Sequence, residues 1–149
     1  MSVEELYREV ILDHYRNPRN RASIDHVDAH AEGTNPLCGD EVTIDLHYEG
    51  DRVSELSVRG QGCSISQSSA SMMSEAIRGK TASEIRELTV KFKGMMSIEE
   101  GTDPGLDPDR PGAVLGDLEA LQGVRRFPVR IKCADLAWTT LAEALGSSA

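Results

Sequence analysis

Three cysteines and one aspartate are the residues of this sequence with the clearest potential for chemistry. Cys38 and Asp40 lie two positions apart in NPLCGDEVTIDL, residues 35–46, just before alternating apolar residues, whereas Cys63 and Cys133 follow much later. A thiolate and a carboxylate this close repel each other unless a cation lies between them. Zinc binds sulfur, nitrogen and oxygen ligands in fours, so the four side chains are a suitable Zn²⁺ ligand set. The sequence lacks the compact CxxC pairs of common zinc modules, so spacing alone leaves three unrelated cysteines as an alternative.

Two patterns in the first part of the chain predict a helix and a hairpin. A capping box, S-x-x-E from Ser2, precedes apolar residues at helical spacing that continue to an Asn-Pro pair. We expect a loop next, with one short strand near its end. Apolar and polar residues then alternate in residues 42–48, and a second alternating stretch follows a glycine turn. These two stretches predict an antiparallel hairpin, with Ser54 on the same face as Leu56 and Val58.

The rest of the chain is predicted to be helical, with one long loop. The expected segments are a helix over 64–78 closed by Gly79, a helix opened by a capping box at Thr81 and continuing to about 93 or beyond, a Pro/Gly-rich loop over 101–112, a short helix over 116–121, and a last helix from about 128 or 131 to 145. This order predicts an α+β fold. A small antiparallel sheet of about three strands has helices packed on one face, with the metal site at one end of the sheet. The length predicts a single domain over residues 1–149.

The predicted elements give a reason for the cysteines to meet. In an antiparallel hairpin the start of one strand faces the end of the next, so Cys38 and Cys63 are expected at the same end of the sheet. A helix packed on the sheet would bring Cys133 to that edge. Gly39 can adopt backbone angles that turn both of its neighbours toward one point. Cys63 precedes a predicted helix, whose N-terminus carries a partial positive charge that stabilises an anionic thiolate.

Composition and charge exclude several classes of function. The 149-residue chain has a formal net charge of −9, the wrong sign for a surface that follows nucleic-acid phosphates. No apolar run approaches the roughly 20 residues of a membrane span, and the N-terminus lacks the apolar region of a signal peptide. We therefore expect a cytoplasmic protein with reduced thiols and with neither nucleic acid nor membrane as a partner.

Histidines and basic residues offer weaker signals. His26 and His30 are four apart, a spacing that suits a metal site on a helix, but their region lacks a helical pattern. His14 lies on the apolar stripe of the first helix and is predicted to be a hydrogen-bonded core or interface residue. Arg130 and Lys132 lie close to Cys133 in the sequence. Three roles are open for them: a solvated helix end, compensation of the negative charge of the thiols and the carboxylate, or contact with a partner protein.

Four motifs carry a resemblance to a known family. The chain resembles the SufU branch of the U-type iron–sulfur cluster assembly proteins, which include SufU, IscU and the N-terminal domain of NifU. The motifs stand in the family's order: LYREVILDHYRNPRN at 6–20, CGD at 38–40, GQGCSIS at 60–66 and RIKCADLAW at 130–138. The resemblance covers nearly the whole chain and implies an α+β fold.

The resemblance also implies a metal site and a partner. Its metal ligands fall on Cys38, Asp40, Cys63 and Cys133, and its sulfur arrives as persulfide from a pyridoxal-phosphate-dependent cysteine desulfurase. Lys132 stands where the scaffold branch has a histidine, and the long segment before Cys133 resembles the SufU insertion. Both features favour a zinc-dependent sulfur acceptor over a scaffold that assembles an iron–sulfur cluster on the same residues and passes it on.

The expected mechanism follows from the resemblance together with the local sequence. The protein would act as a sulfurtransferase-like accessory that activates the desulfurase, whose histidine takes over one ligand position of the zinc. Cys38 is the expected acceptor and catalytic residue, because a glycine-flanked loop can move whereas a helical cysteine cannot. A zinc ion that only braces the fold is a third hypothesis.

Overall fold

Four α-helices, a 3-10 helix and three strands make up the described part of the chain. The computed structural model describes residues 2–36, 39–98 and 103–147. In chain order the elements are α1 (Val3–Arg16), β1 (Ala29–Asn35), β2 (Asp40–Glu49), β3 (Arg52–Gln61), α2 (Ser64–Ile77), α3 (Ala82–Met95), a 3-10 helix (Gly116–Arg126) and α4 (Pro128–Ser147). None of the helices in these ranges combines the length and the apolar character needed to cross a membrane.

The three strands form one antiparallel sheet in the order β1-β2-β3. On β2, Val42, Ile44 and Leu46 point into the core and are almost completely buried. Helices α2 and α4 pack on the sheet and cover this apolar face, whereas polar side chains occupy the opposite face. The predicted α+β fold, with about three strands and helices on one face, is confirmed.

The predicted alternation on the second hairpin strand is wrong at its beginning. His47 pairs with Glu55 and Tyr48 pairs with Val53, which leaves Ser54 as an extra residue in a β-bulge. Val53 is therefore fully buried and takes the inward position that alternation assigns to Ser54. An alternating sequence pattern assigns side chains to the two faces of a sheet only while each residue pairs with one residue of the neighbouring strand. At the bulge one residue has no partner of its own, so the predicted alternation fails there.

Helix ends agree with their sequence signals. The Ser2 side chain accepts a hydrogen bond from the Glu5 N–H, and α1 ends one residue before Asn17. Thr81 and Glu84 form the reciprocal capping box that opens α3.

The segment between α3 and α4 departs from the predicted boundaries. Residues 103–112 contain neither helix nor strand, as predicted, while positions 101–102 of the predicted loop lie outside the described residues. The short helix predicted over 116–121 is a longer 3-10 helix that ends at Arg126.

A serine-rich surface lets α2 and α4 approach closely. Five serines of α2 are buried: Ser66, Ser68, Ser69, Ser71 and Ser74. The Ser69 hydroxyl donates a 2.6 Å hydrogen bond to the main-chain carbonyl of Ala134 in α4. Because Ala134 directly follows Cys133, this contact fixes the position of the Cys133 thiol relative to α2.

His14 joins three parts of the molecule, as predicted for a hydrogen-bonded core histidine. It is 1% exposed, with Nδ1 2.8 Å from the Ser71 hydroxyl and Nε2 2.8 Å from the Asp117 carboxylate. These are the residue types of a hydrolase triad. However, Ser71 is buried and its hydroxyl also accepts the Arg19 N–H, so the serine is unavailable to a substrate. The contacts hold α1, α2 and the 3-10 helix together.

Replacing His14 with leucine is expected to lower the free energy of unfolding by about 2 kcal/mol, because a buried hydrogen bond to Ser71 is lost at similar side-chain volume. Urea unfolding followed by circular dichroism measures the change. His26→Leu is the control: His26 is exposed, and its replacement should change stability by less than about 0.5 kcal/mol in zinc-free buffer. Equal stabilities of wild type and His14→Leu would show that these hydrogen bonds do not hold the helices together.

Candidate metal centre

Three of the four predicted ligands meet at one end of the sheet. One ligand atom each of Asp40, Cys63 and Cys133 can be chosen so that all three atoms lie within 4.8 Å of one another. Asp40 begins β2, Cys63 immediately precedes α2, and Cys133 lies within the first turns of α4. The fourth predicted ligand, Cys38, lies outside the described residues.

Asp40 places a carboxylate in the protein interior. The residue is 0% exposed, and its Oδ1 accepts a 2.9 Å hydrogen bond from the Cys63 N–H. Its Oδ2 lies 3.9 Å from the Cys63 sulfur. Within the described ranges, no arginine, lysine or histidine nitrogen lies within 4.0 Å of the Asp40 carboxylate. A buried carboxylate normally has a cationic partner, so this environment fits a bound cation.

Cys63 is the N-cap residue of α2. Its backbone is extended, and its sulfur accepts the Ser66 N–H at 3.5 Å, in the position that a serine or aspartate oxygen takes in most helix caps. The N-terminus of α2 therefore faces the sulfur with a partial positive charge. The residue as a whole is partly exposed.

Cys133 supplies a second sulfur from the interior of α4. The residue is 0% exposed, and the amide nitrogen of Asn35 lies 4.0 Å from its sulfur. Asn35 ends β1 and pairs with Asp40, so the sheet register places its amide beside Asp40, Cys63 and Cys133, which together we call the cysteine corner. The Cys133 thiol also lies 3.8 Å from the carbonyl oxygen of Val129, one turn earlier.

Two glycines make room for this corner. A Cβ on Gly62 would lie 2.2 Å from Asp40 Oδ1 and 2.9 Å from the Asp40 Cα. Gly62 also has a φ of +143°, a conformation that residues with side chains rarely adopt. At Gly60 a Cβ would lie 2.1 Å from the carbonyl oxygen of Glu41 on the neighbouring strand. The glycines of the GQGC motif therefore allow the end of β3 to pack against β2 and bring Cys63 to Asp40.

The remaining sequence predictions about candidate ligands and nearby charges have mixed outcomes. Gly39 has a φ of +70°, as expected for the residue that turns the chain before Asp40. Arg130 and Lys132 are both exposed and take no part in the buried corner. His26 and His30 hydrogen-bond to different aspartates, and His30 does not belong to the candidate ligand group that contains His26 among the described residues. Sequence patterns did not identify Asn35, although it ends the strand that precedes the Cys-Gly-Asp motif.

The donor set suits zinc. Thiolate sulfur and carboxylate oxygen are both zinc ligands, and Asp40, Cys63 and Cys133 leave one position of a tetrahedral site for a further ligand. The convergence comes from the sheet register, the α2 cap and the α2–α4 contact, and it does not depend on the spacing of the cysteines in the sequence.

Comparisons with known proteins point to one family. The family model described as the NifU-like N-terminal domain matches residues 6–134. A protein of Bacillus subtilis strain 168, named zinc-dependent sulfurtransferase SufU, is 43% identical over 140 residues, which cover 94% of this chain and 89% of that protein. A protein of Streptococcus pyogenes, named iron–sulfur cluster assembly scaffold protein IscU, is 36% identical over 99% of this chain and 87% of that protein.

A solved structure agrees with these relatives. The crystal structure from Fervidobacterium islandicum AW-1, described as an iron–sulfur cluster assembly scaffold protein for the SUF system, superposes with a TM-score of 0.79. It is 34% identical in sequence, and the alignment covers 97% of this chain and 99% of that one.

Proposed function

Because the chain belongs to the family of NifU-like N-terminal domains, we propose that it is a zinc-dependent sulfur-transfer protein for iron–sulfur cluster assembly. It accepts persulfide sulfur from a pyridoxal-phosphate-dependent cysteine desulfurase and supplies downstream cluster-assembly proteins. Cys38, Asp40, Cys63 and Cys133 hold the zinc ion, and Cys38 is the sulfur acceptor. We assign this activity to the cytoplasm, where thiols stay reduced.

The observation that carries the proposal is the meeting of two thiols with a buried carboxylate. Asp40 is fully buried, and no basic side chain in the described ranges pairs with it. A divalent cation offsets the cost of burying this charge and the mutual repulsion of the thiolates. When bound, zinc keeps coordinated thiols deprotonated, which is the state that reacts with sulfur.

Two features favour sulfur transfer over cluster assembly. The relative with 43% identity is named a zinc-dependent sulfurtransferase, and it is aligned over 94% of this chain. Lys132 precedes Cys133 where the scaffold branch has a histidine, and Lys132 is exposed. An exposed ammonium group at this position contributes no ligand to the buried corner.

The transfer is an exchange at sulfur. The acceptor thiolate attacks the terminal sulfur of the donor's persulfide, a new S–S bond forms on the acceptor, and the donor cysteine leaves as a thiolate. No external oxidant or reductant is needed, because one S–S bond replaces another. The acceptor must therefore be a reachable thiolate. Cys133 fails this condition because it is fully buried, and the Cys63 sulfur is fixed at the start of α2 by Ser66.

Cluster assembly on the same residues is the second candidate. The relative of Streptococcus pyogenes named as an assembly scaffold is aligned over 99% of this chain. Thiolate and carboxylate ligands also hold iron in clusters, so the donor set by itself is compatible with both functions. The metal present after anaerobic purification separates them, since a zinc protein is colourless and a cluster protein is brown.

Zinc removal tests the proposed function. Zinc-loaded protein, incubated with the cysteine desulfurase of the same organism and with cysteine, is expected to gain one sulfur atom per chain by intact mass. Zinc-free protein is expected to keep its circular dichroism spectrum, because the core forms without the metal, and to accept sulfur at least about tenfold more slowly. Protein reloaded with zinc is the matched control and should recover the original rate.

Each contrary outcome identifies a different failure. No sulfur on the zinc-loaded chain beside an active desulfurase would refute the sulfur-transfer proposal. Loss of the circular dichroism signal on zinc removal would instead show a zinc ion that braces the fold. A brown protein that transfers an intact cluster to an apo-protein would favour the scaffold.

A further inference from the structure

A second group of potential metal ligands lies far from the cysteine corner. One ligand atom each of His26, Asp28 and His47 can be chosen so that all three lie within 4.8 Å of one another. Asp28 directly precedes β1, and His47 lies seven residues beyond Asp40 on β2. At about 3.3 Å per residue the two groups are roughly 23 Å apart, toward opposite ends of the sheet.

The group is held in place by contacts on both sides of Asp28. Asp28 Oδ1 lies 2.9 Å from His26 Nε2, and Oδ2 lies 2.8 Å from His47 Nδ1. The Tyr48 N–H also donates to Oδ2 at 2.8 Å. The imidazole rings of the two histidines contact each other edge to face, with centroids 4.9 Å apart. Both imidazoles therefore present a nitrogen to the same carboxylate.

The charge and surroundings of the Asp28 carboxylate suit a bound cation. The Tyr48 N–H, with smaller contributions from the histidines, holds the pKa of Asp28 below its usual value, so the side chain is charged at neutral pH. In the described ranges no lysine or arginine nitrogen lies within 4.0 Å of the Asp28 carboxylate. The His26 side chain is 69% exposed, which leaves the group open to solvent.

The donor set defines the class of ligand. Two imidazole nitrogens and one carboxylate oxygen bind zinc and other late first-row divalent ions, and leave at least one position for water. Zinc ligands about 2.0–2.1 Å from the metal lie roughly 3.4 Å apart in a tetrahedral site, so the present spacing needs side-chain shifts of about 1 Å. When a metal binds, each neutral imidazole carries its one proton on the ring nitrogen that does not face Asp28, and the other ring nitrogen is free to bind the metal.

We propose that His26, Asp28 and His47 form a second site, which binds Zn²⁺ or a similar divalent transition-metal ion. The site joins the segment before β1 to the outer face of β2. Metal bound there stabilises the folded chain and holds that segment against the sheet, independently of the cysteine corner.

Calorimetry with Zn²⁺ tests this site in the whole protein. Wild-type protein that already carries one zinc equivalent is expected to bind a second. His47→Gln and His26→Gln should each weaken the second equivalent at least about tenfold while the first remains. His30→Gln is the matched control, because His30 lies on the same face of the sheet but binds Asp45. The His30→Gln variant should bind its second zinc ion as tightly as wild type does.

Imidazole NMR identifies the residues that respond. With the second equivalent, the ring signals of His26 and His47 should shift, whereas those of the buried His14 should not. The proposal is overturned if zinc-loaded wild type binds no second ion. It is also overturned if both glutamine variants bind that ion as tightly as wild type, or if the ring signals of His26 and His47 stay unchanged.

Discussion

Replacing Cys38 with serine is expected to reduce sulfur acceptance from the desulfurase by at least roughly two orders of magnitude. A serine hydroxyl does not ionise near neutral pH and does not attack the terminal sulfur of a persulfide. The other two thiols are poorly placed to replace Cys38, because Cys133 is fully buried and the Cys63 sulfur caps α2. Single-turnover transfer followed by intact mass measures the effect, and alkylation with peptide mapping locates the added sulfur.

The control separates the loss of an acceptor from the loss of zinc. Cys133→Ser removes another thiol of the same set but keeps Cys38, so this variant should accept sulfur slowly, with the sulfur on the Cys38 peptide. Cys38→Ser should carry no sulfur on any peptide. Wild-type rates in Cys38→Ser, with the sulfur on Cys63, would show that Cys63 is the acceptor.

Replacing Gly62 with alanine is expected to damage the cysteine corner severely. The new Cβ would lie 2.2 Å from Asp40 Oδ1 and 2.9 Å from the Asp40 Cα, so both the carboxylate and the strand must move. Zinc affinity should fall at least about tenfold, because Asp40 leaves the place where it meets Cys63. The free energy of unfolding should fall by about 2–4 kcal/mol from overpacking and from the positive φ. Zinc competition with a chelating dye and urea unfolding measure the two effects.

Gly79→Ala is the control that measures the cost of a positive φ in the absence of a steric clash. Gly79 also has a positive φ, +80°, but a Cβ there would meet no atom within 4 Å. This variant should lose only about 1–2 kcal/mol of stability and keep its zinc affinity. If Gly62→Ala binds zinc like Gly79→Ala, the packing of Gly62 against Asp40 does not shape the site.

Local sequence signals account for much of the fold. The capping boxes, the glycine turn and the alternating stretches each act over a few residues, so α1, α3 and the β2–β3 hairpin follow from them directly. Antiparallel pairing also explains why Asp40 and Cys63 are neighbours, since Glu41 pairs with Gln61 at that end of the hairpin. The β-bulge at Ser54 carries no such signal, because an extra residue does not change the local composition.

Contacts between distant segments explain what the sequence could not predict. The buried serines of α2 indicate close packing, but they do not show that Ser69 meets Ala134 and so fixes Cys133. The partners of His14 lie 57 and 103 positions away in the chain.

The path of the segment before β1 was equally hidden. The Val58 N–H donates to the carbonyl oxygen of Asn20, so this segment follows the edge of β3 before it reaches the sheet's outer face. His26 therefore meets His47 through the tertiary path of the chain, and the four-residue spacing between His26 and His30 does not indicate this contact.

X-ray absorption at the zinc edge, on protein carrying one zinc per chain, tests the central claim most directly. We expect three sulfur ligands at about 2.3 Å and one oxygen ligand at about 2.0 Å, from Cys38, Cys63, Cys133 and Asp40. A first shell made mainly of nitrogen, or one containing a single sulfur, would contradict a zinc site built from these four side chains.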